Sequence, residues 1–148
     1  MTTDAQIEVT EVSDATEKKE KPSFNLWTQF ETNKDAEENG AWTEILPGTR
    51  FKLRRFQSKI ALAKREELRK PYATLTRGGK SLPEDVEDGL MTRLIAEAII
   101  VEWDGVKDRD GADLPFTVEN AMMILQGLPH LRDHLVSFVL EIDNYQIQ

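Results

Sequence analysis

Hydrophobic and basic residues alternate over residues 49–56, where Phe51 and Leu53 are separated by basic side chains. This two-residue period is typical of a strand with one buried face. The pair Pro47-Gly48, which favours a turn, separates this run from an earlier one that begins at Ala41. The pattern therefore predicts a β-hairpin over about residues 41–56, with a basic outer face.

Apolar residues at spacings of three and four, among good helix formers, indicate that the rest of the chain is helical. Ser81 with Glu84 suits a capping box at the start of a central helix. The run Ile-Ile-Val at 99–101 makes the end of this helix apolar on every side, so we expect it to be deeply buried. Thr117 suits the N-cap of the next helix. Helices are predicted over about residues 58–70, 83–103, 118–127 and 129–143.

The two ends of the chain lack such patterns. Residues 1–23 are rich in Thr, Glu, Asp and Lys and carry few large apolar side chains, which predicts an acidic disordered tail. Residues 24–148 are then expected to form one domain, α+β in class and mostly α-helical. It opens with an apolar cluster, Phe24, Leu26, Trp27 and Phe30, that we expect to dock against the domain, a short linear motif being the alternative. Residues 144–148 are expected to fray.

Composition excludes several classes of protein. Hydrophobic residues make up 39% of 148 residues, enough for one modest core, and no apolar run approaches the roughly 18 residues of a membrane span. The first residues lack the basic and apolar stretches of a secretory signal. The absence of cysteine removes disulfides, thiol nucleophiles and thiolate metal sites. We therefore expect a cytosolic protein without contact to a membrane.

The net charge of −8 is distributed unevenly. Residues 1–40 carry a net charge of −6, residues 41–80 carry +8, and residues 81–148 carry −10. Such an acid-base-acid order either neutralises itself in the fold or presents a basic surface to an acidic partner.

A loop with three aspartates around Gly111 suggests a calcium site. With Gly111 as the sixth position of an EF-hand loop, the first and twelfth positions fall on Val106 and Thr117. Calcium requires an acid at the first position and a bidentate Glu at the twelfth. The loop is therefore predicted to be a solvated turn without a metal.

Other patterns that suggest catalytic chemistry are incomplete. His130 and His134 lie four residues apart, on one face of a helix, but the sequence offers no third His and no Cys for zinc. The run Arg-Gly-Gly-Lys-Ser at 77–81 lacks the first glycine of a phosphate-binding loop. We therefore predict that the protein is not an enzyme and holds no cofactor.

The basic segment is the candidate partner-binding surface. A basic hairpin followed by a basic helix fits an acidic protein partner, which we favour over nucleic acid because the acidic flanks would repel phosphates. A solvated or internally paired face remains the alternative. The candidate residues are Arg50, Lys52, Arg54, Arg55, Lys64, Arg65 and Arg69.

One stretch carries a resemblance to a known family. An apolar helix is followed by Trp103-Asp104-Gly105, then by Asp110-Gly111, and then by Leu-Pro-Phe-Thr at 114–117 with Glu-Asn-Ala at 119–121. This order resembles the tail assembly chaperones of long-tailed, siphovirus-type bacteriophages, over roughly residues 40–130. The residues that match the motif of that family are Trp103, Gly105, Pro115, Phe116 and Asn120.

The resemblance implies a late, non-enzymatic phage protein that binds the tape-measure protein in the host cell cytoplasm. Such a protein keeps the tape-measure protein soluble, promotes assembly of tail-tube protein around it, and is absent from the mature virion. The motif residues are expected to staple the core, and the partner surface is expected in the basic segment or in grooves between helices. The resemblance leaves homo-oligomerisation open. Alternatives are a tail or neck component retained in the virion and a small nucleic-acid-binding regulator that uses residues 50–80.

Overall fold

The computed structural model describes residues 25–146, and the chain divides into two compact units, Met1–Glu31 and Thr32–Gln148. The described part of the first unit is α1, Leu26–Phe30, whose N-cap Asn25 accepts a hydrogen bond from the N–H of Trp27 at 2.8 Å. Leu26, Trp27 and Phe30 are each 65–73% exposed. The predicted tail over 1–23 and Phe24 lie outside the described residues, and the larger unit begins at Thr32 rather than at residue 24.

The fold is α+β and mostly helical, as the sequence predicts. Helices of the second unit are α2 (Lys34–Asn39), α3 (Lys59–Arg69), α4 (Glu84–Leu94), α5 (Val118–Gly127) and α6 (Pro129–Leu140). Its strands are β1 (Ala41–Leu46), β2 (Thr49–Leu53) and β3 (Ile100–Asp104). Short 3₁₀ turns lie between α3 and α4, at Lys70–Tyr72 and Arg77–Gly79, and after α6, at Ile142–Tyr145.

The predicted hairpin forms two strands of a three-stranded antiparallel sheet in the order β1-β2-β3. Phe51 and Leu53 on β2 are 2% and 0% exposed, so the alternation in the sequence identifies the buried face. β2 ends at Leu53 rather than near residue 56.

The predicted central helix over 83–103 is wrong in its last four residues, which form a strand. α4 ends at Leu94, a π-helical turn spans Ile95–Ile99, and the chain then enters β3 at Ile100. β3 pairs with β2, placing Trp103 opposite Phe51. The β-branched side chains at 99–101 favour extended backbone. Their segment is apolar on all sides because it is buried between the sheet and the helices.

Hydroxyl side chains cap the N-termini of two helices. Ser58 Oγ accepts a hydrogen bond from the N–H of Ala61 at 3.2 Å and begins α3, and Thr117 Oγ1 accepts one from the N–H of Asn120 at 3.0 Å and begins α5. The expected capping box at Ser81 does not form, because Pro83 occupies the N-cap of α4 without a side-chain hydrogen bond.

The core lies where the π-helical turn meets the sheet and the last two helices. Its most deeply buried members include Ile95, Ile99, Leu125, Leu135 and Val139, each at most 2% exposed. Within residues 25–146, none of the helices has the length and apolar character needed to cross a membrane.

Residues 144–146 are held by the fold, against the expectation of fraying from residue 144, and residues 147–148 lie outside the described part of the chain. Tyr145 is fully buried, its hydroxyl donates to the carbonyl oxygen of Leu53 at 3.1 Å, and its ring lies 5.9 Å from that of Phe138. Its own carbonyl oxygen accepts a hydrogen bond from the N–H of Asn33 at 2.6 Å. The end of the chain therefore closes the core against β2.

Tyr145 should make the protein sensitive to alkaline pH. Burial raises the pKa of its hydroxyl far above the usual value of 10.0. The folded state therefore keeps a proton that the unfolded chain loses, so this contribution to stability is complete below about pH 10 and is lost as the pH rises further.

We expect the urea midpoint of the wild type to fall more steeply between about pH 9 and pH 11 than that of Tyr145→Phe. Tyr72→Phe is the matched control, because it removes the hydroxyl of a tyrosine that is only half-buried. Parallel slopes for wild type and Tyr145→Phe would contradict the prediction.

Candidate partner-binding site

Trp103 is held on three sides by its own fold. The side chain is 8% exposed, and its ring centroid lies 5.6 Å from that of Phe51 and 5.1 Å from that of Phe116, the latter edge to face. Its Nε1–H donates to the carbonyl oxygen of Leu114 at 2.8 Å. Trp103 therefore joins β2, β3 and the segment that leads into α5.

Gly105 allows the hairpin turn to lie directly on the end of β3. Its φ is +75°, and a Cβ at this position would lie 1.8 Å from the carbonyl oxygen of Gly48. The hydroxyl of Thr49 donates to the carbonyl oxygen of Gly105 at 3.2 Å. Only glycine satisfies both the backbone angle and this close approach.

The remaining motif residues fix the start of α5. Asn120 Nδ2 donates to the carbonyl oxygen of Pro115 at 2.9 Å, which ties the first turn of the helix back to the preceding loop. Trp103, Gly105, Pro115, Phe116 and Asn120 thus form a single joint between the sheet and α5. The side-chain N–H groups of Trp103 and Asn120 donate to carbonyl oxygens of the same chain.

The acidic loop of this joint is an ordinary hydrogen-bonded turn. Asp108 Oδ1 accepts from the N–H groups of Asp110 and Ala112, both at 2.9 Å, and Lys107 forms an ion pair with Asp113. His130 and His134 are both exposed on α6. The described part of the chain contains no cluster of three or more His, Asp or Glu residues arranged to hold a metal ion.

The outer face of the sheet is mixed in charge, not basic as predicted. The strand register places two rows across it, Trp42–Lys52–Glu102 and Glu44–Arg50–Asp104. The guanidinium of Arg50 lies 4.6 Å above the ring of Trp42 and 3.2 Å from the carboxylate of Asp104. Acidic residues on the neighbouring strands therefore flank the basic residues of β2.

Most of the other candidate cations are paired within the chain. Arg54 donates to the carbonyl oxygens of Glu38 and Ala98 at 2.6 and 2.8 Å. Arg69 forms two hydrogen bonds with Glu87, at 3.1 and 2.9 Å. Lys64 lies 3.3 Å from the carboxylate of Glu67 and 3.9 Å from that of Glu97. Arg55 lies 3.0 Å from the carboxylate of Glu37. The guanidinium of Arg65 lies 5.0 Å above the ring of Phe56. The acid-base-acid order of the sequence is thus largely neutralised inside the fold.

The Glu37–Arg55 pair lies in a half-buried polar cluster. Burial raises the pKa of Glu37, but the hydrogen bonds from Thr32 and Arg55 and the positive charge of Arg55 outweigh it, so the pKa lies below its usual value of 4.5. The pair therefore connects α2 to the end of β2 as a structural contact, and its charges are not free for a partner.

An open groove lies between α4, α5 and α6 of the second unit. It encloses about 560 Å³, within the range of sites that take a ligand or side chains of a partner. Its apolar lining consists of Tyr72, Val86, Leu90, Met122, Leu125 and Pro129. Charged residues on the same groove are Asp88, Arg93 and Arg132.

Gly89 also lines this groove, although it was not among the predicted site residues. It lies in the middle of α4 with negative φ, and a Cβ built on it meets no atom within 4 Å. Glycine in a helix interior costs about 1 kcal/mol relative to alanine. The one signal in the sequence for this position was a glycine in the interior of a predicted helix. No signal in the sequence indicated the groove itself, because it combines residues more than 30 positions apart.

Residues 56–148 match the family model described as YdaY prophage protein. No curated protein and no solved structure matches the chain significantly. The matched segment includes the groove and the joint around Trp103. Since it covers more than half of the chain, the protein is phage-derived and belongs to the YdaY prophage protein family.

Proposed function

We propose that this protein is a tail assembly chaperone that binds the tape-measure protein of its phage and promotes tail-tube assembly around it. It acts without catalysis, in the host cytoplasm, and leaves before the virion is complete. Two findings support the proposal, namely the prophage family and the resemblance of the segment from Trp103 to Asn120 to such chaperones.

The observation that carries the proposal is the open groove between α4, α5 and α6. Apolar side chains from three helices line it, and charged residues accompany them. Amphipathic helices bind such grooves through apolar residues spaced three and four apart. A long helical protein that exposes such faces before assembly is a suitable partner.

Internal pairing of the basic segment counts against the nucleic-acid regulator. Five of the seven candidate cations, Arg50, Arg54, Arg55, Lys64 and Arg69, contact carboxylate or carbonyl oxygens of the same chain. Binding of phosphates by these cations would first require breaking the contacts.

Co-expression with the tape-measure protein of the same prophage tests the proposal. We expect the soluble fraction of the tape-measure protein to rise severalfold over expression with an unrelated acidic protein of similar size. Mass spectrometry of purified virions should then lack this chain. An unchanged soluble fraction would overturn the proposal, and stoichiometric presence in virions would favour a structural tail component.

A further inference from the structure

We draw no further inference here: the strongest candidate, the exposed apolar patch that Leu26, Trp27 and Phe30 form on α1, carries no proposal because nothing in the described residues 25–146 shows what covers it.

Discussion

The variant Gly105→Ala is expected to lose about 4 kcal/mol or more of its free energy of unfolding, among the largest effects of any single methyl group in this protein. The added Cβ would lie 1.8 Å from the carbonyl oxygen of Gly48 and 3.0 Å from its carbonyl carbon, and neither backbone atom can rotate away as a side chain would. A φ of +75° adds about 1–2 kcal/mol of strain for an L-residue. Urea unfolding followed by tryptophan fluorescence measures the loss.

Gly111→Ala is the control that separates backbone strain from the steric clash. Gly111 has a φ of +85°, close to that of Gly105, but a Cβ there meets nothing within 4 Å. Gly111→Ala should therefore be destabilised by the backbone strain alone, by about 1–2 kcal/mol. Equal losses in the two variants would show that the hairpin turn does not rest on Gly105.

Local patterns were sufficient to predict the elements whose stability is local. The alternation around Phe51 identified the hairpin and its buried face, and the helix formers over 58–70 identified α3, because in both cases the side chains within the element determine which face is buried. Thr117 was correctly predicted as an N-cap, since capping needs only a hydroxyl and the amide three residues on.

The errors lie where distant parts of the chain determine the conformation. Ile100 and Val101 extend an apolar helical pattern, but pairing with β2 provides a third strand, and periodicity cannot distinguish a buried strand from a buried helix in so short a run. Tyr145 was expected to fray with the last residues of the sequence. Its order comes from Leu53, 92 positions earlier, and from Asn33.

The candidate site shows the same division between local and distant information. The sequence identified the basic side chains of the segment over 50–80, but not that Asp104, Glu37 and Glu87 would pair with Arg50, Arg55 and Arg69. A groove between helices was one of the expected partner surfaces, but the helices that form it could not be predicted, because its walls come from α4 and from two helices later in the chain. Its neighbour in the fold, the joint around Trp103, was visible as a motif because its residues are close in sequence.

That joint also positions one wall of the groove. Trp103 contacts Phe116 just before α5, and α5 contributes Met122 and Leu125 to the lining. Loosening the joint should therefore impair partner binding through the placement of α5, although no motif residue lines the groove. The proposed binding function would then depend on the motif without any contact between the motif residues and the partner.

Trp103→Ala is expected to destabilise the second unit by about 3–5 kcal/mol, because it leaves a cavity between Phe51 and Phe116 and removes the donor to Leu114. Trp103→Phe keeps an aromatic ring but leaves the carbonyl oxygen of Leu114 without its donor, and it should cost about 1–3 kcal/mol.

Trp42→Ala is the matched control for these variants. Trp42 is 39% exposed on the outer face of the sheet and stacks with Arg50. Trp42→Ala should therefore lose the cation–π contact, about 0.5–1 kcal/mol, and a smaller burial contribution than Trp103→Ala. Urea unfolding monitored by far-ultraviolet circular dichroism compares the three variants without relying on the fluorescence of the residue removed. If Trp103→Ala were no less stable than Trp42→Ala, the joint would not be the element that fixes α5 to the sheet. Loss of tape-measure binding in such a stable Trp103→Ala variant would indicate direct contact between Trp103 and the partner.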